Sequence, residues 1–164
     1  MQTPEVIING QQGDQISCFD RGLLYGDGIF ETIAIKHHKP QYWEDHLQRL
    51  QLGCKTLELQ GLDVALLEKE IKFFVDSESE SKFVVKIIIT RGVGGRGYRP
   101  TLQSLTRIVQ KFPWPGYPSS FTDIGIKVTK CSLQLSKQSK LAQIKHLNRL
   151  EQVLARSEWE DDYQ

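Results

Sequence analysis

Phe83-Val84-Val85-Lys86-Ile87-Ile88-Ile89-Thr90 is the stretch that decides how this chain folds. Nearly every residue in it is β-branched or aromatic, a composition that suits a pleated, covered surface and reads as a buried strand. A buried strand needs a second layer to cover it, and the residues just upstream supply one. Across 44–59, Leu47, Leu50, Cys54 and Leu57 share one helical face. Across 62–75 a second amphipathic helix runs through Leu67, Ile71, Phe74 and Val75. Gly61 separates the two, the acidic-serine run 76–81 reads as a loop, and 105–112 reads as another strand.

Further upstream, 5–9 reads as a short strand, and Asn9-Gly10 is a turn signal leading to a second strand near 16–18. Residues 30–36 alternate as a strand, and 37–40 turn the chain into 41–43, so the opening is a β-meander. Downstream, 113–120 carries three of the six prolines and reads as a linker. A strand at 124–131, a polar loop to Gln143 and a final helix through Leu147, Leu150, Val153 and Leu154 follow. The fold class is therefore α+β. Residues 1–112 form an N-terminal two-layer α/β domain with a β-meander and two helices. Residues 121–164 begin a second domain that is incomplete, because one strand and one helix cannot close a core of their own.

Composition narrows the class of protein. A net charge of +1, with 39% hydrophobic and 25% charged residues, is an ordinary globular balance and suggests no nucleic-acid partner. Cys18, Cys54 and Cys131 are far apart and odd in number, which indicates neither a disulfide framework nor a zinc site. The first residues lack the features of a signal peptide, and no apolar run approaches a membrane span of ~18 residues, so no membrane partner and a cytoplasmic location are expected.

Four places carry candidate chemistry. Lys145 precedes the final helical pattern, where a helix N-terminus and a dry setting would lower the amine pKa and suit it to Schiff-base chemistry. From position alone an ordinary solvated lysine remains the default. Arg49 lies between Leu47 and Leu50, one turn after His46, and either snorkels to solvent or reaches an anion. Gly92-Val93-Gly94-Gly95-Arg96-Gly97 matches G-x-G-x-x-G after a strand. Pro100 sits where a helix should begin, however, and no acidic ribose ligand follows, so a dinucleotide site is rejected. These glycines instead turn the backbone tightly and present Arg91, Arg96 and Tyr98 to a ligand, with the Arg96 guanidinium suited to a carboxylate. His37 and His38 have no partners at metal-ligand spacing.

Four separated segments together carry a resemblance. Phe19-Asp20-Arg21-Gly22-Leu23-Leu24-Tyr25-Gly26-Asp27-Gly28-Ile29-Phe30-Glu31-Thr32 resembles the N-terminal signature of fold-type IV pyridoxal-phosphate enzymes. That class includes branched-chain aminotransferases, D-amino-acid aminotransferases and aminodeoxychorismate lyases. His46-Leu47-Gln48-Arg49-Leu50 is similar to the helix motif whose arginine binds the cofactor phosphate. Ile144-Lys145-His146-Leu147-Asn148-Arg149-Leu150-Glu151-Gln152-Val153 resembles the lyase version of the cofactor-lysine motif, and Thr90 to Tyr98 likewise resembles the lyase branch.

The resemblance implies a D-amino-acid aminotransferase-like fold and pyridoxal 5'-phosphate as cofactor. Lys145 would bind it covalently and then serve as acid and base, while Arg49 would hold its phosphate. Arg96, Tyr98 and Phe30 would line the substrate side. The implied reaction converts 4-amino-4-deoxychorismate to p-aminobenzoate and pyruvate, a step toward folate, in a homodimer. An aminotransferase acting on D- or branched-chain amino acids, or an inactive remnant, stands as the alternative. Relatives in the class extend beyond the cofactor-lysine helix and there supply a glutamate for the pyridine nitrogen. The chain is therefore expected to be C-terminally truncated and to hold the cofactor weakly by itself.

Overall fold

The computed structural model describes residues 5–77, 80–100 and 104–159 of the 164-residue chain. Residues 78 and 79 of the expected loop, and the acidic end at 160–164, lie outside the described residues. The elements in chain order are β1 (Glu5–Ile8), β2 (Gln11–Gln12), α1 (Arg21–Tyr25), β3 (Gly28–Lys36), β4 (Lys39–Pro40), α2 (Trp43–Thr56), α3 (Val64–Ser77), β5 (Lys82–Thr90), β6 (Thr106–Pro113), α4 (Ser120–Asp123) and α5 (Leu150–Arg156). The six strands make one antiparallel sheet in the order β2-β1-β6-β5-β3-β4.

Alternation along β3 and β5 builds the core. Ile29, Ile33 and Ile35 of β3, and Phe83, Val85, Ile87 and Ile89 of β5, are each at most 1% exposed. They point to one face, as a period of two requires. Leu50 and Cys54 of α2, with Leu67, Ile71 and Phe74 of α3, cover that face in a single cluster. Each such side chain contributes ~1.5–3 kcal/mol when removed from water. Burial also pushes the Cys54 thiol up to about 11.

Two tight turns correct the expected opening. Asn9 and Gly10 both take positive φ, 51° and 85°, as a two-residue hairpin turn of the primed kind demands. Such a turn pairs its flanking residues at once, Ile8 with Gln11, so β2 is the two residues after the turn. The expected strand at 16–18 is irregular chain. His37 and His38 repeat the device at φ 51° and 57°, pairing Lys36 with Lys39. The strand expected at 41–43 is thus displaced to β4, and α2 starts at Trp43. The two hairpins lie at opposite edges of the sheet, with β5 and β6 between them.

The expected strand at 124–131 does not form among the described residues. Its β-branched composition favours a pleat, but a strand exists only by pairing, and Ile124 and Val128 stay 86% and 73% exposed. Asp76 and Ser77, expected in a loop, close α3.

The last correction concerns Lys145. Helix α5 begins at Leu150, so the lysine does not stand at a helix start. Residues 145–147 instead lie along the open edge of β3. Phe30 N donates to Lys145 O at 2.9 Å, Leu147 N donates to Gly28 O at 3.0 Å, and Ile29 faces His146 in an antiparallel bridge. Ile144, just ahead, is 5% exposed and belongs to the core cluster.

Candidate functional site

Successive residues of β3 point to opposite faces, and two of them organise the site. Phe30 lies beneath three cations: Lys145 Nζ at 4.7 Å from the ring centroid, Arg149 Cζ at 5.2 Å and Lys86 Nζ at 5.5 Å. An aromatic face attracts each of them through its quadrupole. Phe30, Lys145, Arg149, Gln152, Val153 and Arg156 line an open cleft of about 540 Å³. All the charged side chains of this lining are cationic.

The Lys145 amine is held below the ordinary lysine value. Burial is the largest cause; Glu31 opposes it, and the charges of Arg49, Arg149 and Lys86 add to it. The sequence pointed to a lowered pKa, but the helix dipole invoked for it is not its source. A half-buried amine with a lowered pKa is neutral, and so nucleophilic, for a larger fraction of the time than an ordinary lysine.

Glu31, the next residue of β3, turns toward α2 and is 1% exposed. Its carboxylate accepts from Arg49 Nε at 2.7 Å, from Arg49 Nη2 at 2.6 Å and from His46 Nδ1 at 2.8 Å. Burial works to raise the Glu31 pKa, but the hydrogen bonds and charges of Arg49 and His46 prevail and hold it below the usual carboxylate value. Arg49 is therefore neither snorkelling nor idle. Its side chain is 47% exposed, and Nη1 has no partner among the described residues.

Arg96 and Tyr98 stand apart from this cleft. Arg21, 4% exposed, donates from Nη1 to Gly97 O at 2.8 Å and from Nη2 to Tyr98 O at 3.2 Å. Gly97 N donates to the Tyr25 hydroxyl at 3.1 Å, and the Tyr25 and Tyr98 rings meet edge-on at 5.6 Å. The glycine-rich loop is thus tied to α1. Tyr98 borders a second cleft of about 300 Å³ with Arg21, Tyr25, Asp27, Arg91 and His146. Arg96 is exposed. Arg91, expected to face a ligand, instead pairs with Asp27 through Nε at 2.8 Å and Nη2 at 3.1 Å. His146, neighbour of the lysine, has a buried Nδ1 without a partner among the described residues, and burial lowers its pKa.

Lys145, Arg49 and Phe30 are brought together around β3, whereas Tyr98 lines only the second cleft and Arg96 lines neither. Sequence reasoning missed Glu31. A signal for it existed: it occupies the buried phase of Ile29, Ile33 and Ile35, where a lone acid requires a cationic partner. It also missed the Asp27 link between Arg21 and Arg91.

The chain belongs to the amino-transferase class IV family, whose pattern matches residues 28–163. Within that class it is similar to an aminodeoxychorismate lyase of Vibrio harveyi, 33% identical across 92% of this chain and 55% of that protein. A crystal structure of 4-amino-4-deoxychorismate lyase from Pseudomonas aeruginosa superposes with a TM-score of 0.87 at 43% identity, covering 95% of this chain and 57% of that one. The branched-chain aminotransferase of Escherichia coli shares the fold, with a TM-score of 0.79 at 21% identity over 92% of this chain and 54% of the other. The chain thus spans a little over half the length of these relatives.

The residues present fit the cofactor such enzymes use. Lys145 offers an amine with a lowered pKa, Phe30 a flat apolar surface, and Arg49 an open guanidinium edge for a phosphate. Among the described residues no group of His, Cys, Asp and Glu could hold a metal ion, and no helix is long and apolar enough to cross a membrane.

Proposed function

We propose that this protein is a pyridoxal 5'-phosphate-dependent lyase that converts 4-amino-4-deoxychorismate to p-aminobenzoate and pyruvate, serving folate synthesis in the cytoplasm as a homodimer. The observation that carries the reading is the half-buried Lys145 amine, held over Phe30 with Arg49 fixed on the next residue of the same strand. The likeness to two proteins named for this lyase supports the choice of substrate.

Arg49 would bind the cofactor phosphate and Lys145 would bind its aldehyde carbon. When bound, the cofactor supplies an electron sink conjugated to the substrate amine. The chain's own part is to move a proton. Lys145 Nζ would take the proton from the ring carbon bearing nitrogen. The carbon–oxygen bond to the enolpyruvyl group then breaks, the ring becomes aromatic, and a proton ends on the methyl carbon of pyruvate. Atoms balance with no added oxidant or water. Arg149 and Lys86, beside the same ring of Phe30, add positive charge that suits an anionic substrate. Tyr98, in the second cleft, and Arg96, exposed on the same loop, would meet its far side.

The protein is incubated with pyridoxal phosphate, reduced with borohydride and mapped by mass spectrometry. The adduct is expected on Lys145, and p-aminobenzoate is expected from aminodeoxychorismate. Turnover only of an amino acid with a keto acid would replace the lyase with an aminotransferase. Absence of any adduct would leave the inactive remnant.

A further inference from the structure

The buried Glu31 carboxylate is the least expected group near the cleft. It lies in the phase of β3 otherwise filled by Ile29, Ile33 and Ile35. Carrying a carboxylate out of water is expensive, and an ion pair in such a place is often no more stabilising than well-packed hydrophobic residues of similar volume. A purely structural account of Glu31 is therefore weak.

The geometry suggests a different role. Both Glu31 oxygens engage Arg49 in a two-point fork, through Nε and Nη2, and His46 Nδ1 donates to the second oxygen. A fork of this kind fixes the plane of a guanidinium as well as its position. It occupies one edge of the guanidinium and leaves Nη1 without a partner among the described residues. Meanwhile Phe30, one residue earlier, holds the Lys145 backbone by its own N–H and carries the amine over its ring. Two successive residues of one strand thus set the amine and the guanidinium relative to each other.

We propose that Glu31 is a positioning residue: it aims the free edge of Arg49 at the phosphate of the cofactor bound on Lys145, so that recognition of the phosphate depends on a carboxylate that never touches it. This rests on the pyridoxal-phosphate reading above. Glu31 also raises the guanidinium pKa of Arg49, in keeping with a tightly held cation.

The test compares pyridoxal phosphate with pyridoxal, which lacks the phosphate, by spectroscopic titration of the wild-type protein, E31Q, R49A and the double variant. The wild type is expected to prefer pyridoxal phosphate by about 100-fold, and E31Q to lose about 10-fold of that preference, read as the ratio of the two affinities so that any change at the Lys145 amine, common to both ligands, cancels. In the R49A background E31Q should add nothing further. A merely structural role would weaken both ligands equally, and that result overturns the proposal. If the wild type shows no preference, the assignment of Arg49 under the proposed function fails, and this inference with it. If the wild type discriminates and folded E31Q discriminates equally, only this inference fails.

A measurement on the wild type alone covers the case in which E31Q does not fold. Phenylglyoxal should modify Arg49 about 5-fold more slowly than the exposed Arg96, because the fork holds its guanidinium. Equal rates would show that no fork exists in solution and would overturn the proposal.

Discussion

Lys145 shows how one side chain acquires reactivity from its surroundings. Burial is the largest cause of its lowered pKa, three cations add to it, and Glu31 alone among the named charges opposes them. The sign follows directly. A lowered amine pKa leaves a larger neutral fraction at any given pH, so Lys145 should react with an acylating reagent at lower pH than the lysine of an unstructured peptide. Competitive labelling across pH 6–11 against such a peptide should place the Lys145 midpoint below the peptide's. Coincident midpoints would mean that the amine is solvated in solution. Removing Glu31 should move the Lys145 midpoint further down, since the charge that raised it is gone.

At the scale of elements, a short helix and two strand ends are fastened by one acid. Asp20, 1% exposed, caps α1 by accepting from Gly22 N at 2.7 Å, and its other oxygen accepts from Thr90 Oγ1 at 3.0 Å and Thr106 Oγ1 at 2.7 Å. It joins α1 to the ends of β5 and β6, where the glycine-rich loop departs. Asp20→Ala would leave two buried hydroxyls and a helix N–H without their acceptor, which should cost ~3 kcal/mol. Urea denaturation measures it, and a loss below ~1 kcal/mol would show that water replaces the carboxylate.

The elements also show what could be read in advance. Strand β5 and helices α2 and α3 were legible because their periodicity reports directly which face is covered. The two hairpins were misplaced by a few residues, because positive φ at Asn9, His37 and His38 sets the register and composition only hints at it. The stretch 124–131 failed for another reason: β-branched residues state a preference, but a strand needs a partner that no local pattern names. The Arg49 to Glu31 fork was hidden similarly, since two motifs read one at a time do not reveal that their charges meet.

Over the whole molecule, the segment that carries Lys145 is attached to the sheet by a few contacts between residues more than a hundred positions apart. Lys145 was legible as a motif, yet its place beside Phe30 was not, because long-range pairing leaves no trace in spacing. The attachment depends on Gly28. A Cβ at that position would stand 2.5 Å from Ile89 O and 2.7 Å from Leu147 Cδ1. Ile89 is held in the β3–β5 ladder and is 0% exposed, so its carbonyl cannot retreat without breaking the central pairing. Leu147 lies on the edge and can retreat. Gly28→Ala should therefore loosen the Gly28–Thr90 end of the β3–β5 ladder and also displace the segment that carries the amine. Hydrogen exchange should accelerate about 10-fold at Phe30 N and Leu147 N, whose bonds join that segment to β3, with Val85 and Ile87 unchanged. Borohydride labelling of Lys145 by pyridoxal phosphate should fall in parallel, because the amine leaves the ring of Phe30. Exchange that speeds up throughout β5 instead would place the strain in the core. Unchanged exchange with unchanged labelling would mean that the edge pairing does not position the lysine.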